Sequence, residues 1–460
     1  MGFFSKKKET PAKQPAPAPH PSTVAAPGGR TVNINVEHLT RVEGHGNIVL
    51  NAKDGKIEKV QWQVSEAPRF FESFVRGRPY NELSHITSRI CGICSIGHSL
   101  ASLKATEAAM GIQTTEQTEI LRRLAIHAEN LQSHVLHVGY LVAPDLLGAP
   151  SVVPLASSHT GAVLKIVGLH RLGNEFSNLM CGRTVHPVSL IPGGFSHIPS
   201  EKQLKEMRQK WVDAIPDVVA VAEIVLANAH KLPNFTRETE FIALTADDEY
   251  AIYDGDIGST DGGRWPVAEY EKITNEFVVP HSTAKYTKHK RASYMVGALA
   301  RLNLNYDKLG PLAKEWAGKF GLKPVNHNPF MNNVAQLVEI VHSIEDTLAQ
   351  IDKLLEKGVN VNERPKFEVK AGRGVGAVDV PRGILFHDYT YNDKGIITKA
   401  NCIIPTNQNH NNINLDFQAF APTIIDKPEK EIELLLEMLV RAYDPCISCS
   451  THYLDVKWKR

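Results

Sequence analysis

The chain has 460 residues, 42% of them hydrophobic, enough to bury a sizeable core, and its 51 Lys and Arg against 50 Asp and Glu leave a formal net charge of +1. That balance excludes the basic surface of a nucleic-acid binder. No run reaches the roughly 18 apolar residues of a membrane span and no apolar signal stretch opens the sequence, so the expectation is a cytoplasmic chain with no direct membrane span.

Residues 1–30 are rich in Pro, Ala and Lys and offer too little apolar surface to offset the entropy of ordering, which predicts a disordered lead. From Thr31 the text becomes strand-like, and Asp54-Gly55 between two alternating segments signals a hairpin turn. Behind Cys94 the period turns helical through Ile96, Leu100, Leu103 and Met110, followed by a long run from Glu116 to Val142. Further helices are predicted over 201–231, 290–302, 332–357 and 428–442, with Pro428 suited to a first turn. The late strand-rich stretch from Gly383 carries its own hairpin signal at Asn392 to Gly395. The expected architecture is α+β, mainly α, in one unit over 31–452.

Six cysteines stand at 91, 94, 181, 402, 446 and 449, too few and too uneven for a disulfide framework. Four fall in Cys-x-x-Cys pairs, Cys91/Cys94 and Cys446/Cys449, and two such pairs supply four soft thiolates for metal. A structural zinc site would normally bring its pairs within about 15–20 residues, whereas about 350 separate these. A redox dithiol would open a helix in a βαβ unit, and the second pair follows a helix instead.

The combination Arg89-x-Cys91-Gly92-x-Cys94 and Asp444-Pro445-Cys446-x-x-Cys449-x-x-His452 resembles the paired signatures of nickel–iron hydrogenase large subunits. Arg41-Val42-Glu43-Gly44-His45-Gly46, Pro381-Arg382-Gly383 and Ile404-Pro405-Thr406 stand in that family's order, so the resemblance runs from about residue 31 to the C-terminus. Locally the text is most similar to the soluble cytoplasmic branch, which reduces methyl viologen or acts as a sulfhydrogenase. The resemblance implies the large-subunit fold, a helical-bundle core with small peripheral β elements.

It also implies a site. Cys91 and Cys446 match terminal nickel ligands, while Cys94 and Cys449 match those bridging nickel to an iron that carries carbon monoxide and cyanide. Arg382 of the Pro381 turn and His98 match groups that hydrogen-bond this cluster, with Asp444, Pro405 and Thr406 around it. Glu43 matches the proton gate, a carboxyl that passes a proton from a terminal thiolate toward solvent. Glu72, nineteen residues before Cys91, and His452 match magnesium ligands, completed by the backbone carbonyl of Cys402.

The implied activity is reversible heterolytic oxidation of H2, with Cys446 or Arg382 as the first base. Electrons would leave to a small iron–sulfur subunit, then to further electron-transfer subunits, because no remaining cysteine set can hold an iron–sulfur cluster. A maturation protease would remove residues 453–460 behind His452. The alternatives are a complex-I-type structural or quinone-site subunit, which lacks the four cysteines, and a zinc-stapled scaffold without catalysis.

Other features read as structural. His127, His134 and His137 lie in one helical run without an i, i+4 pair and are expected to be core or interface histidines. Gly372-x-Gly374-x-Gly376 is followed by no helix start and is not expected to bind a nucleotide. Cys181 and the thiol of Cys402 are expected to be simply buried. Ser133 stands where many family members place an aspartate beside the arginine, which puts that hydrogen bond in question.

Overall fold

The structure, a computed structural model, describes residues 31–451. The predicted lead 1–30, His452 and the tail 453–460 lie outside the described residues. Helix accounts for 51% and strand for 18%, which makes the fold mainly α.

Strands β1 (Val32–Val36), β2 (Gly46–Lys53) and β3 (Lys56–Val64) form an antiparallel sheet whose alternation buries Val32, Ile34, Ile48, Leu50 and Trp62 on one face. Asp54 and Gly55 both adopt positive φ (49° and 74°), the two-residue turn expected of this hairpin.

Helix α1 (Ser95–Met110) stops at Gly111, φ 67°, and is buried on nearly every side rather than on one face. Helix α2 (Glu116–Leu136) starts at Thr115, whose hydroxyl accepts from Thr118 N, and runs into a π-helical turn over His137–Val142. Helices α3 (Thr160–Cys181) and α4 (Glu201–Asn228) complete one wall, α4 opening with a Ser200/Gln203 capping box. The apolar rhythm of α3 drew no prediction.

The helix expected over 290–302 occupies Ala298–Asn305, α5, instead. Tyr294–Met295 pair in parallel with Glu240–Phe241, and Gly297 at φ 121° breaks the chain before the helix can start. Helix α6 (Asn332–Lys357) has the predicted bounds and ends at Gly358.

The late strands are β4 (Gly372–Val380), β5 (Gly383–Tyr391) and β6 (Ile397–Ile403), followed by α7 (Pro405–Ile424) and α8 (Glu429–Ala442). The three glycines of β4 lie against the backbone of α1. A Cβ would come within 2.1 Å of Ala109 O at Gly372, 2.2 Å of Ala109 N at Gly374 and 2.2 Å of Ala101 O at Gly376. They are a packing surface rather than a phosphate loop. This contact fixes α1 against the turn that carries Arg382, because β4 ends one residue before Pro381. Among the described residues no single helix is long and apolar enough to cross a membrane.

Candidate metal centre

The first cysteine pair is built on a helix. A 3-10 turn over Ser88–Ile90 delivers Cys91 in extended conformation, and Cys94 caps α1 while donating its N–H to Cys91 Sγ at 3.0 Å. Glu129 of α2 accepts from Ile96 N at 2.7 Å and Gly97 N at 3.1 Å, satisfying the free N–H groups of the helix start.

The second pair sits in irregular chain behind α8. Asp444, at φ 49°, turns the backbone, and Cys446 bridges in parallel to Glu43. Cys446 N donates to Thr406 Oγ1 at 3.0 Å, Ile447 N to Glu43 O at 3.0 Å, and Ser448 N to Glu43 Oε2 at 3.1 Å. Asn407 Nδ2 donates to Ser450 O at 2.8 Å, and His410 Nε2 meets Ser450 Oγ at 2.8 Å.

These two arrangements bring their sulfurs together. Cys91 and Cys446 Sγ stand 3.5 Å apart, and the Sγ atoms of Cys91, Cys446 and Cys449 all lie within 4.8 Å of one another. Cys446 and Cys449 are a close sulfur pair with Cα atoms 5.5 Å apart. All four cysteines are buried. The Cys94 thiol, and after it Arg382, hold Cys91 below the usual thiol range against the opposing effect of burial. Cys94, hydrogen-bonded to Cys91 and buried, is pushed well above it.

Arg382 is 3% exposed and bonds three groups: Nη1 donates to Cys94 Sγ and Ser133 Oγ, both at 3.2 Å, and Nη2 to Asp444 Oδ1 at 2.7 Å. Burial works against its charge, but Asp444 and the two sulfurs more than restore it, so its pKa rises above the ordinary arginine value. The hydrogen bond to position 133 is therefore kept, by a neutral hydroxyl. Asp444 also accepts from Gln336 Nε2 at 2.9 Å. Among the described residues the buried Nε of Arg382 has no hydrogen-bond partner. Buried soft donors with an orphaned N–H beside them fit a metal cluster carrying acceptor ligands.

His98 is buried, and its Nδ1 meets His387 Nε2 at 3.2 Å, with His387 Nδ1 in turn 2.6 Å from Tyr389 OH. Glu72 lies in a short helix, Phe71–Val75, and its charge, after burial, helps push up the thiol of Cys402. Arg69 N donates to Thr451 O at 2.8 Å, which ties the Glu72 segment to the chain just before His452.

Glu43 is half-buried and has a continuation to the surface. Ser448 Oγ donates to Glu66 Oε1 at 3.1 Å, and Glu66 Oε1 also takes His45 N at 2.7 Å and meets His45 Nδ1 at 3.1 Å. The His45 side chain is 72% exposed and, with Glu66, lines a surface cavity of about 500 Å³. A Cβ on Gly44 would fall 2.9 Å from Glu66 Oε1, so the glycine permits this approach.

The three histidines of the α2 run meet separate partners: His127 with Asp346 at 2.6 Å, His134 with Glu339 at 2.8 Å, and His137 with Gln336 at 2.5 Å. Sequence reasoning passed over Glu66, Glu129, Gln336 and Glu339, which belong to no motif. Asn332, Gln336 and Glu339 do recur at helical spacing on the buried face of α6, and a polar stripe there was a readable signal.

Comparison with known proteins agrees with this geometry. The family described as nickel-dependent hydrogenase matches residues 69–168 and 268–452, and a HoxL-like family matches residues 33–67. The alpha chain of sulfhydrogenase 1 from Pyrococcus furiosus is 33% identical over 91% of this chain and 97% of its own length. An F420-non-reducing hydrogenase chain of Methanothermobacter marburgensis is 31% identical over 92% of this chain and 95% of its own. The fold is similar to the H2-reduced crystal structure of an NAD+-reducing [NiFe]-hydrogenase, with a TM-score of 0.81 and 28% identity over 92% of this chain and 100% of that one.

Proposed function

The chain belongs to the nickel-dependent hydrogenase family, and on that basis we propose that Cys91, Cys94, Cys446 and Cys449 hold its nickel and iron. It is the catalytic subunit of an oxidoreductase acting on H2, and its electrons pass to a partner small subunit. The observation that carries the assignment is the convergence of three buried sulfurs within 4.8 Å, with Cys94 beside Arg382.

Cys91 and Cys446 would hold nickel, and Cys94 and Cys449 would hold both nickel and an iron carrying carbon monoxide and cyanide. The bound metals supply the Lewis acidity that brings H2 within reach of a weak base. The chain provides that base and a way out for the proton. Arg382 is kept protonated by Asp444, so it donates hydrogen bonds and positive charge, and the Cys446 sulfur is left as the proton acceptor. Glu43, whose backbone pairs with Cys446 and whose carboxylate accepts from Ser448 N, takes the proton outward toward Glu66 and His45 at the surface cavity.

Glu72, the Cys402 carbonyl and His452 would hold magnesium. The partner small subunit carries the iron–sulfur clusters, since the two remaining cysteines, Cys181 and Cys402, are too few to hold one, and further electron-transfer subunits lie beyond it. The complex resides in the cytoplasm.

Infrared bands of iron-bound carbon monoxide and cyanide, with nickel and iron analysis of anaerobically purified enzyme, test the metal assignment; zinc in place of nickel would end it. Glu43→Gln should keep both metals and suppress H2/H⁺ exchange, and unchanged exchange would remove Glu43 from the route. A maturation protease cuts behind His452, so intact mass of the active enzyme should lack residues 453–460. Full activity with the tail attached would overturn that.

A further inference from the structure

Arg301 on α5 is fully buried and commits all five of its N–H donors. Three go to carboxylates: Nε to Glu339 Oε1, Nη2 to Glu339 Oε2 and Nη1 to Asp379 Oδ1, each at 2.6 Å. The other two go to the backbone, Nη1 to Val380 O at 2.7 Å and Nη2 to Pro381 O at 3.1 Å. Those carbonyls belong to the two residues immediately before Arg382. We infer that Arg301 is a positioning residue, which clamps the Val380–Pro381 carbonyls and so fixes the turn from which Arg382 reaches the cysteines.

Stability alone is a poor reason for this cage, because a buried ion pair can often be replaced by packed apolar side chains without loss. Its geometry is aimed. Glu339 is itself held by Tyr250 OH at 2.7 Å and His134 Nε2 at 2.8 Å, so the clamp has little freedom. The same helix, α6, sends Gln336 to Asp444 at 2.9 Å and Asn332 Nδ2 to Ala442 O at 2.8 Å. One helix therefore holds both ends of Arg382, the backbone through Glu339 and Arg301 and the guanidinium through Gln336 and Asp444. A lysine at 301 would keep the charge but could not serve two carboxylates and two carbonyls in one plane.

The inference rests on the proposal that Arg382 acts at the metal centre, and the experiment separates the two. H2/D⁺ exchange per bound nickel is measured in the complete complex for Arg301→Lys, Glu339→Gln and Arg382→Lys. Arg122→Lys is the control, since Arg122 is equally buried, paired with Glu107, and touches none of the centre. Arg301→Lys should load nickel yet exchange on the order of ten- to a hundred-fold more slowly, the scale of a misplacement near 1 Å. Its KM for H2 should be unchanged, and amide exchange of the peptide spanning Asp379–Gly383 should quicken. Glu339→Gln should act in the same direction, and Arg122→Lys should move none of these.

Exchange within about two-fold of wild type in Arg301→Lys and Glu339→Gln would overturn the inference if Arg382→Lys is impaired. If Arg382→Lys is itself unimpaired, the proposal for Arg382 falls as well. Failure of both cage variants to load nickel, with Arg122→Lys loading normally, would also overturn it, in favour of a folding role.

Discussion

The two cysteine pairs reach one place by opposite means. Cys91 and Cys94 stand at the head of a sixteen-residue helix that is buried along its length and pressed against a glycine strand. Cys446 and Cys449 stand in chain with almost no regular structure, fastened by a few hydrogen bonds with Glu43, Thr406, Asn407 and His410. Packing sets the first pair, and a set of polar contacts from distant parts of the sequence sets the second. Each half can therefore be broken in its own way: the first fails with the fold, while the second can loosen inside an intact fold.

Gly374→Val should produce the largest effect. Its Cβ would lie 2.2 Å from Ala109 N and 2.3 Å from Ala105 O, so β4 must leave α1, at a cost above the about 1–3 kcal/mol of ordinary overpacking. Soluble yield and nickel content should both collapse, and a variant that loads nickel normally would show that the first pair does not depend on this contact. Thr406→Val is milder. It strands the buried N–H of Cys446 at a cost of about 1–3 kcal/mol. Amide exchange should quicken around Cys446 and stay unchanged over Ser95–Met110; equal loosening of both would erase the contrast.

The third effect concerns pH, and near neutrality it is the smallest. Burial pushes His410 down to about 3 from an ordinary 6.5. Below about pH 6.5 the unfolded chain therefore takes up a proton that the folded chain refuses. The stabilisation is complete above that pH and is lost as pH falls toward 3, by as much as ~1.4 kcal/mol per pH unit. Denaturant unfolding across this window should have a shallower pH slope in His410→Gln than in wild type. Identical slopes would remove His410 from the acid response.

Much of this could be read without coordinates where the chemistry is local. Alternation and Asp54-Gly55 announced the first hairpin, and Gly358 announced the end of α6. The gathering of the two cysteine pairs was legible because two Cys-x-x-Cys motifs combine residue type and spacing in a pattern that a chance pair would not give. Glu66, Glu339 and Arg301 were not, because each gains its role from partners far along the chain and a lone charged residue has no pattern. The glycines of β4 were seen but only set aside as a nucleotide loop, and it takes the fold to show that they pack against the backbone of α1. Ser133 was read through its difference from aspartate, yet the hydroxyl makes the same hydrogen bond without the charge.

The bond from Arg69 N to Thr451 O has a practical side. Thr451 is fully buried beside the cysteine segment. An affinity handle or reporter placed there would compete for the space in which that segment is fastened. Thr31, at the other end of the described chain, is exposed, and a label attached on that side leaves the buried end free.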